Sequence, residues 1–328
     1  MKSTSRHVGA LALAIAAAAA FTPFTAKAQK DYPLRPVRVV VPYTPGGITD
    51  VVTRTVMQEL GKSLGQTMIV DNRPGANSIV GVDIVAKASP DGYTMGSVIA
   101  AHAANQTLYP KLPYDSVKSF ETVSLMASAP LIVCAANTLP ANNVKELIAL
   151  ARAKPGQITF ASSGIGAAAH LTTELLMLTA GVKMTHVPYK GTAPALQDLM
   201  GGQVMLMLDV PSSMLVQVRA GRIKALGMAS EKRVAVAPDL PTLVEQGVNV
   251  VGGTWVGLLA PAHTPQPVVE RVSREIATIL QRPEMKERFV QLGIDPVGST
   301  PQEFRKFLLD EIAKWGKVIK QANVQIEQ

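Results

Sequence analysis

A chain of 328 residues, 47% hydrophobic and 17% charged, can bury one large core or two medium ones. Its formal net charge of +8 comes from scattered bases, and with 5% aromatic residues it lacks the basic stripe and stacking rings of a nucleic-acid surface. A single cysteine, Cys134, excludes an intrachain disulfide, and its place in the apolar run LIVCAAN reads as a buried strand.

The chain opens on an export signal. Lys2 and Arg6 precede a short apolar run, Val8 to Ala20, and Ala26-Lys27-Ala28 is a small-x-small cleavage site, so residues 1–28 read as a signal peptide cut after Ala28. The run is too short to span a bilayer, and no later stretch reaches the roughly 20 apolar residues a spanning helix needs. No cysteine adjoins the cut, so a lipid anchor is not expected. Cleavage removes three basic residues and no acidic ones, leaving a charge of about +5 that suits small anionic ligands.

After this segment, strands and helices alternate. VRVVVPY predicts a strand, Asp50 to Leu64 an amphipathic helix, MIVDN a second strand, Val80 to Lys87 a helix and YTMGSVIA a third strand. This β-α-β-α-β run implies a parallel sheet covered by helices. The grammar restarts with the helix NNVKELIALARAK, capped by Asn142 or Asn143, and the strand QITFASS. It continues through the helix LTTELLMLTAG, the strand MTHVPY, a helix over 193–200, the strand QVMLMLD, another helix and the strand IKALGMA. The C-terminal part is helical over 267–280, 283–292 and 301–322. In the last of these Phe304, Leu308, Ile312, Trp315 and Ile319 form a core-facing stripe, which the first sheet is expected to receive as GGTWVGLLAP carries the chain back. The expected architecture is α/β with two lobes, each a mainly parallel sheet flanked by helices. Lobe 1 comprises 29–128 plus 252–328, and lobe 2 comprises 129–251.

Two strand-to-helix loops carry the chemistry. In PYTPGGITD, two glycines let a ligand approach backbone N–H groups, and the following helix start adds unpaired donors and partial positive charge. Such a place binds carboxylate or phosphate without a cationic side chain. On its own it reads equally well as a tight turn. The second loop, ASSGIGAAAH, repeats the arrangement with Ser162 and Ser163 as hydroxyl donors. Its Gly-x-Gly-x-x-Ala resembles a dinucleotide fingerprint, but the acid expected about 20 residues on is absent from THVPYKG. Arg73 and Lys190 are the nearest cations. There is no Gly-x-Ser-x-Gly elbow and no His-Glu-x-x-His, and His102, His170, His186 and His263 stand apart in the sequence. No catalytic constellation, metal site or cofactor is expected.

The blocks PYTPGGITDVVTR, VDNRPGANSIVG, SPDGYTM, SSGIGAAAHLTTELL, HVPYKGTAPALQDLMGGQV, LPTLVEQG, GTWVGLLAPAHTP and LGIDPVGSTPQEF stand in this order. In that order the chain resembles the Bug family, the extracytoplasmic solute-binding proteins of tripartite tricarboxylate transporters. The resemblance covers essentially all of the chain after the signal. It implies a two-lobed periplasmic-binding-protein fold, type II-like, that closes around a small organic acid. It also implies a periplasmic monomer, without cofactor or nucleic acid, that delivers the acid to membrane permease subunits or presents it to a sensor protein. Carried over by matching positions, the ligand site would use Tyr43, Pro45, Gly46, Gly47 and Asp50 from the first loop, and Ser162, Ser163, Gly164, Gly166 and Ala167 from the second. Ala76, Asn77, Ala101, His102, Asn105, Pro188, Tyr189, Lys190 and Asp209 would complete the wall.

The chain departs from the family's pattern at several places. Ala100 and Ala101 stand where hydroxyl residues are common, Ala167 where serine is common and Met205 where aspartate is common. Less polar walls imply a ligand with one carboxylate and an apolar or aromatic body rather than a tricarboxylate. An exported hydrolase of small carboxylic esters is the competing class.

Overall fold

A computed structural model describes residues 32–326; the signal segment expected over 1–28 lies outside the described residues. The first lobe begins with β1 (Val37–Val41), which ends where Pro42 removes an N–H from the ladder. It continues through α1 (Ile48–Leu64), β2 (Met68–Asn72), α2 (Ile79–Ala86), β3 (Thr94–Val98), α3 (Ala100–Leu108) and β4 (Phe120–Pro130). The second lobe contains β5 (Ile132–Ala136), α4 (Val144–Ala153), β6 (Thr159–Ser162), α5 (Ala168–Ala180), β7 (Thr185–Pro188), α6 (Thr192–Met200), β8 (Leu206–Asp209), α7 (Pro211–Arg219) and β9 (Ile223–Met228). The chain then returns to the first lobe as β10 (Gly253–Pro261), α8 (Gln266–Gln281), α9 (Pro283–Gln291), β11 (Asp295–Pro296) and α10 (Pro301–Gln321).

The first sheet has the order β11-β4-β10-β3-β1-β2 and the second the order β7-β6-β8-β5-β9. The two α/β sheets expected from the sequence are thus present, but each is mixed. In the first, β1 runs parallel to β2 and β3, while β10 is antiparallel to β3 and β4. In the second, β6 runs parallel to β7 and β8, while β5 is antiparallel to β8 and β9. In each sheet β10 or β5 is the strand that brings the chain in from the other lobe and so enters from the opposite end; β11 is also antiparallel to its neighbour β4.

The crossings are tied together by backbone alone. Leu131 N–H donates to Gly252 O (3.2 Å), Gly252 N–H to Ala229 O (3.0 Å) and Ala229 N–H to Leu131 O (2.8 Å), a closed ring of three bonds. A buried apolar cluster runs through this junction from Val39 and Val56 to Phe160 and Leu206. Cys134 is fully buried on the far face of the second sheet, and burial raises its thiol pKa.

The stripe on α10 packs as its spacing predicts. Phe304, Leu308, Trp315 and Ile319 are buried against the first sheet and α3, with Ile312 partly buried beside them. The helix opens on a capping box between Thr300 and Glu303 and a Pro at its first turn. Trp255 and Trp315 both donate their indole N–H to Glu311 Oε2, at 2.9 and 2.7 Å, so the single buried carboxyl satisfies both rings. Helix α5 is shared between the lobes. Its Leu171 lies in the first lobe's core, while Leu176 and Met177 belong to the cluster that continues into the second.

Candidate functional site

In an open α/β sheet, ligands gather beyond the carboxyl ends of parallel strands. In the first lobe those ends are followed by residues 42–47 after β1, 73–78 after β2 and 99 after β3. In the second, Ser162, Pro188 and Asp209 close the parallel strands β6, β7 and β8, and the register sets Ser162 level with Pro188.

In the first loop, Pro45, Gly46 and Gly47 are exposed and Tyr43 is half-buried. A Cβ built on Gly46 or Gly47 would meet nothing within 4 Å, so there is open space above both. Gly46 needs its missing side chain for another reason, since its φ of +91° suits glycine. Gly47 is extended (φ −76°) and serves as N-cap of α1 without a side-chain cap, leaving the first-turn amides to an outside acceptor.

Asp50 sits beneath this loop rather than in its opening. It is buried, and its carboxylate accepts the Gly46 N–H (3.0 Å), Arg54 Nε (2.9 Å) and Asn72 Nδ2 (2.9 Å). Asn72 Nδ2 also donates to Tyr43 O (3.0 Å), and Arg54 Nη2 donates to Asn72 Oδ1 (2.6 Å). Burial alone would raise the Asp50 pKa. The hydrogen bonds from Arg54, Asn72 and Gly46, with the Arg54 charge, outweigh it and hold the carboxyl below its usual range.

In the second loop Ser162 and Gly166 are buried, and Ser163, Gly164 and Ala167 are half-buried. Ala167 is N-cap of α5, again without a side-chain cap. The Ser162 hydroxyl meets His186 Nε2 at 2.7 Å and Gly164 O at 3.0 Å. The Gly166 N–H donates to His170 Nδ1 (3.1 Å), which leaves His170 Nε2 as the N–H facing Glu174 Oε1 at 3.4 Å. The His170 and His186 rings stack with centroids 3.7 Å apart, and Phe160 covers His186 at 4.8 Å. Burial, then the neighbouring His170, pulls the His186 pKa down to about 3.

The lobes meet at these loops. A Cβ on Gly166 would lie 2.4 Å from Leu108 Cδ1 and 3.7 Å from Asn77 Nδ2, both in the first lobe. Asn77 belongs to a left-handed turn in which Ala76, Asn77 and Ser78 all have positive φ (44°, 49° and 77°). Asn105 secures that turn: Asn77 Nδ2 donates to Asn105 Oδ1 and Asn105 Nδ2 to Asn77 O, both at 2.8 Å.

The other residues expected to complete the wall divide. Ala101, His102 and Asn105 are buried on α3. His102 turns into the core, donating from Nε2 to Ser116 O (2.9 Å) and stacking on Tyr114, and burial lowers its pKa to about 4. Pro188 and Lys190 are exposed and Ala76 is exposed. Tyr189 gives its hydroxyl to Asp198 (2.6 Å), and burial together with that carboxylate pushes its pKa up to about 12. Asp209 is half-buried and accepts from Thr192 Oγ1 (2.6 Å); burial outweighs its hydrogen bonds and raises its pKa.

Sequence reasoning missed Arg54, Asn72, Leu108, Glu174 and His186 as neighbours of the loops. The i, i+4 spacing of Asp50 with Arg54 and of His170 with Glu174 was the available signal. Nothing local could pair His186 with Ser162. Among the described residues, no group of three or more His, Cys, Asp and Glu side chains is placed to hold a metal ion, and no helix is long and apolar enough to cross a membrane.

Residues 52–324 match the family described as tripartite tricarboxylate transporter family receptor. Protein BugT of Bordetella pertussis is 34% identical over 98% of this chain and 99% of its own. Among solved structures, R. palustris Rpa4515 with adipate superposes with a TM-score of 0.82 at 34% identity, covering 90% of this chain and 99% of that one. MatC from Rhodopseudomonas palustris with bound malate gives 0.77 at 33% identity, covering 88% and 100%.

Proposed function

The chain belongs to the tripartite tricarboxylate transporter receptor family, the family of the Bug periplasmic binding proteins, and from that premise we propose that it captures a small organic carboxylate between its lobes. The observation that carries this reading is the open space above Gly46 and Gly47 at the uncapped start of α1. The Gly47 amide and the first-turn amides there offer several N–H donors to one carboxylate without a fixed cation, while the Gly46 N–H is held by Asp50. The uncapped start of α5 supplies the matching set from the second lobe. A ligand held from both sides interacts better with the closed form and shifts the population toward it.

The adipate and malate bound by two relatives support a carboxylic acid as ligand class. Ala167, half-buried at the N-cap of α5 where serine is common in the family, offers no hydroxyl and favours an acid whose body is less polar than a tricarboxylate. The protein would be exported by cleavage after Ala28, act as a periplasmic monomer and deliver its acid to the membrane subunits of a tripartite transporter. Among the described residues Ser162 and His186 form the serine–histidine side-chain pair that a hydrolase reading could use, but Ser162 is fully buried and its hydroxyl is engaged by Gly164 as well. That arrangement favours a structural serine over a nucleophile.

Native mass spectrometry of the purified periplasmic protein, followed by calorimetric titration with the acid it carries, tests the reading. A co-purified carboxylate released unchanged supports it; steady turnover of an ester, with no acid bound, refutes it.

A further inference from the structure

The two anchoring loops are braced by the same geometry built from different chemistry. In the first lobe the Gly46 N–H donates to Asp50, four residues on, and Arg54, four residues further, donates to Asp50 at 2.9 Å. Asn72, at the end of the next strand, binds Asp50 and returns to the loop through Tyr43 O. In the second lobe the Gly166 N–H donates to His170, four residues on, and Glu174, four residues further, faces His170 at 3.4 Å. His186, on the next strand, stacks on His170 and returns to the loop through Ser162.

Each brace therefore links a glycine amide, an acceptor at i+4, a partner at i+8 and a residue from the neighbouring strand. We propose that Arg54, Asn72, Glu174 and His186 are positioning residues for carboxylate capture, acting through Asp50 and His170 to fix the direction of the loop amides. The inference rests on the capture reading above. Its physical content is twofold. Tying down the Gly46 and Gly166 amides fixes the peptide planes on which the neighbouring N–H groups depend, which lowers the ordering cost of binding. In the first lobe the brace also answers a charge problem, because Asp50 lies under the proposed anion site and Arg54 is the cation paired with it.

The test uses the full mature protein with adipate, malate, benzoate and citrate as probes, read by calorimetry with melting temperature recorded for every variant. Arg54→Gln leaves the Asp50 carboxylate unpaired, and binding of the best probe should weaken by about tenfold or more. Adding Asp50→Asn to that variant removes the stranded charge and should recover most of the loss, which a merely structural role for Arg54 would not produce. In the second lobe His170→Leu should weaken the same probe comparably, whereas His170→Asn, which keeps an acceptor for the Gly166 N–H, should lose much less. Wild-type affinity in Arg54→Gln, or no recovery in the double variant, overturns the inference while leaving the capture reading intact. If the wild type binds none of the four acids and carries none through purification, the capture reading fails and the inference with it.

Discussion

The Leu108 side chain fills the space that a side chain on Gly166 would need, with Cδ1 only 2.4 Å from the ideal Cβ position. This contact joins α3 of the first lobe to the 163–167 loop of the second. Gly166→Ala should destabilise the protein by about 1–3 kcal/mol, through collision and through a φ of +79° that glycine tolerates best. In the Gly166→Ala/Leu108→Ala double variant the losses should sum to less than the two single ones, because the collision partner is gone. Additive losses in urea unfolding would show that the two residues do not meet.

Gly47 offers a cleaner probe of the first loop than Gly46. Its backbone is extended and a Cβ there meets nothing within 4 Å, so valine adds no strain and no clash. Gly47→Val should change stability by about 1 kcal/mol or less and abolish capture of the co-purified acid. Gly46→Val places a branched side chain at a φ of +91° and should also lower the melting temperature. Retained affinity in the Gly47 variant would rule out that loop as the anchor.

Acid should weaken the fold as pH falls from neutrality. His102 and His186 are held neutral, with pKa values near 4 and near 3, against about 6.5 in an unfolded chain. Between those values the unfolded state binds more protons than the folded one. Stability from these rings is therefore complete above about pH 6.5 and declines as pH falls, by up to about 1.4 kcal/mol per pH unit for each ring. The urea midpoint should drop between pH 7.5 and 5, and His102→Gln, which can still donate to Ser116, should flatten the slope. An unchanged wild-type midpoint over that range contradicts the assignment.

Glu311 should matter far more than a helix-surface acid. Glu311→Leu strands two buried indole N–H groups and should lower stability by about 2–5 kcal/mol. Glu311→Gln keeps a carbonyl acceptor and should lose less. Denaturation curves followed by tryptophan emission would decide, with a leucine variant as stable as wild type ruling the shared acceptor out.

Much of this was legible where periodicity or turn chemistry is local. The α10 stripe from Phe304 to Ile319 declared itself by spacing, MIVDN by its length and flanking turns, and both glycine loops by their place between strand and helix. Strand β4 was not legible. Its Thr122 and Ser124 look solvent-facing in sequence, yet they are buried against Pro301 O and Ser299 O from a segment far along the chain. Helix α3 was equally hidden, since in AAHAANQTL nearly every side chain is buried and no polar face marks its period. The braces failed for another reason. Arg54 looks like an ordinary exposed base and Asn72 like the polar end of a strand, and only the fold brings both to Asp50.

The ring linking Leu131, Ala229 and Gly252 means that the second lobe leaves the first and rejoins it at points one hydrogen bond apart. In construction terms it is a cassette whose two ends lie side by side. Adjacent ends favour grafting, but an exchange between relatives has to match what crosses the seam as well: the apolar cluster through the junction and Leu171 of α5 are core to both parts.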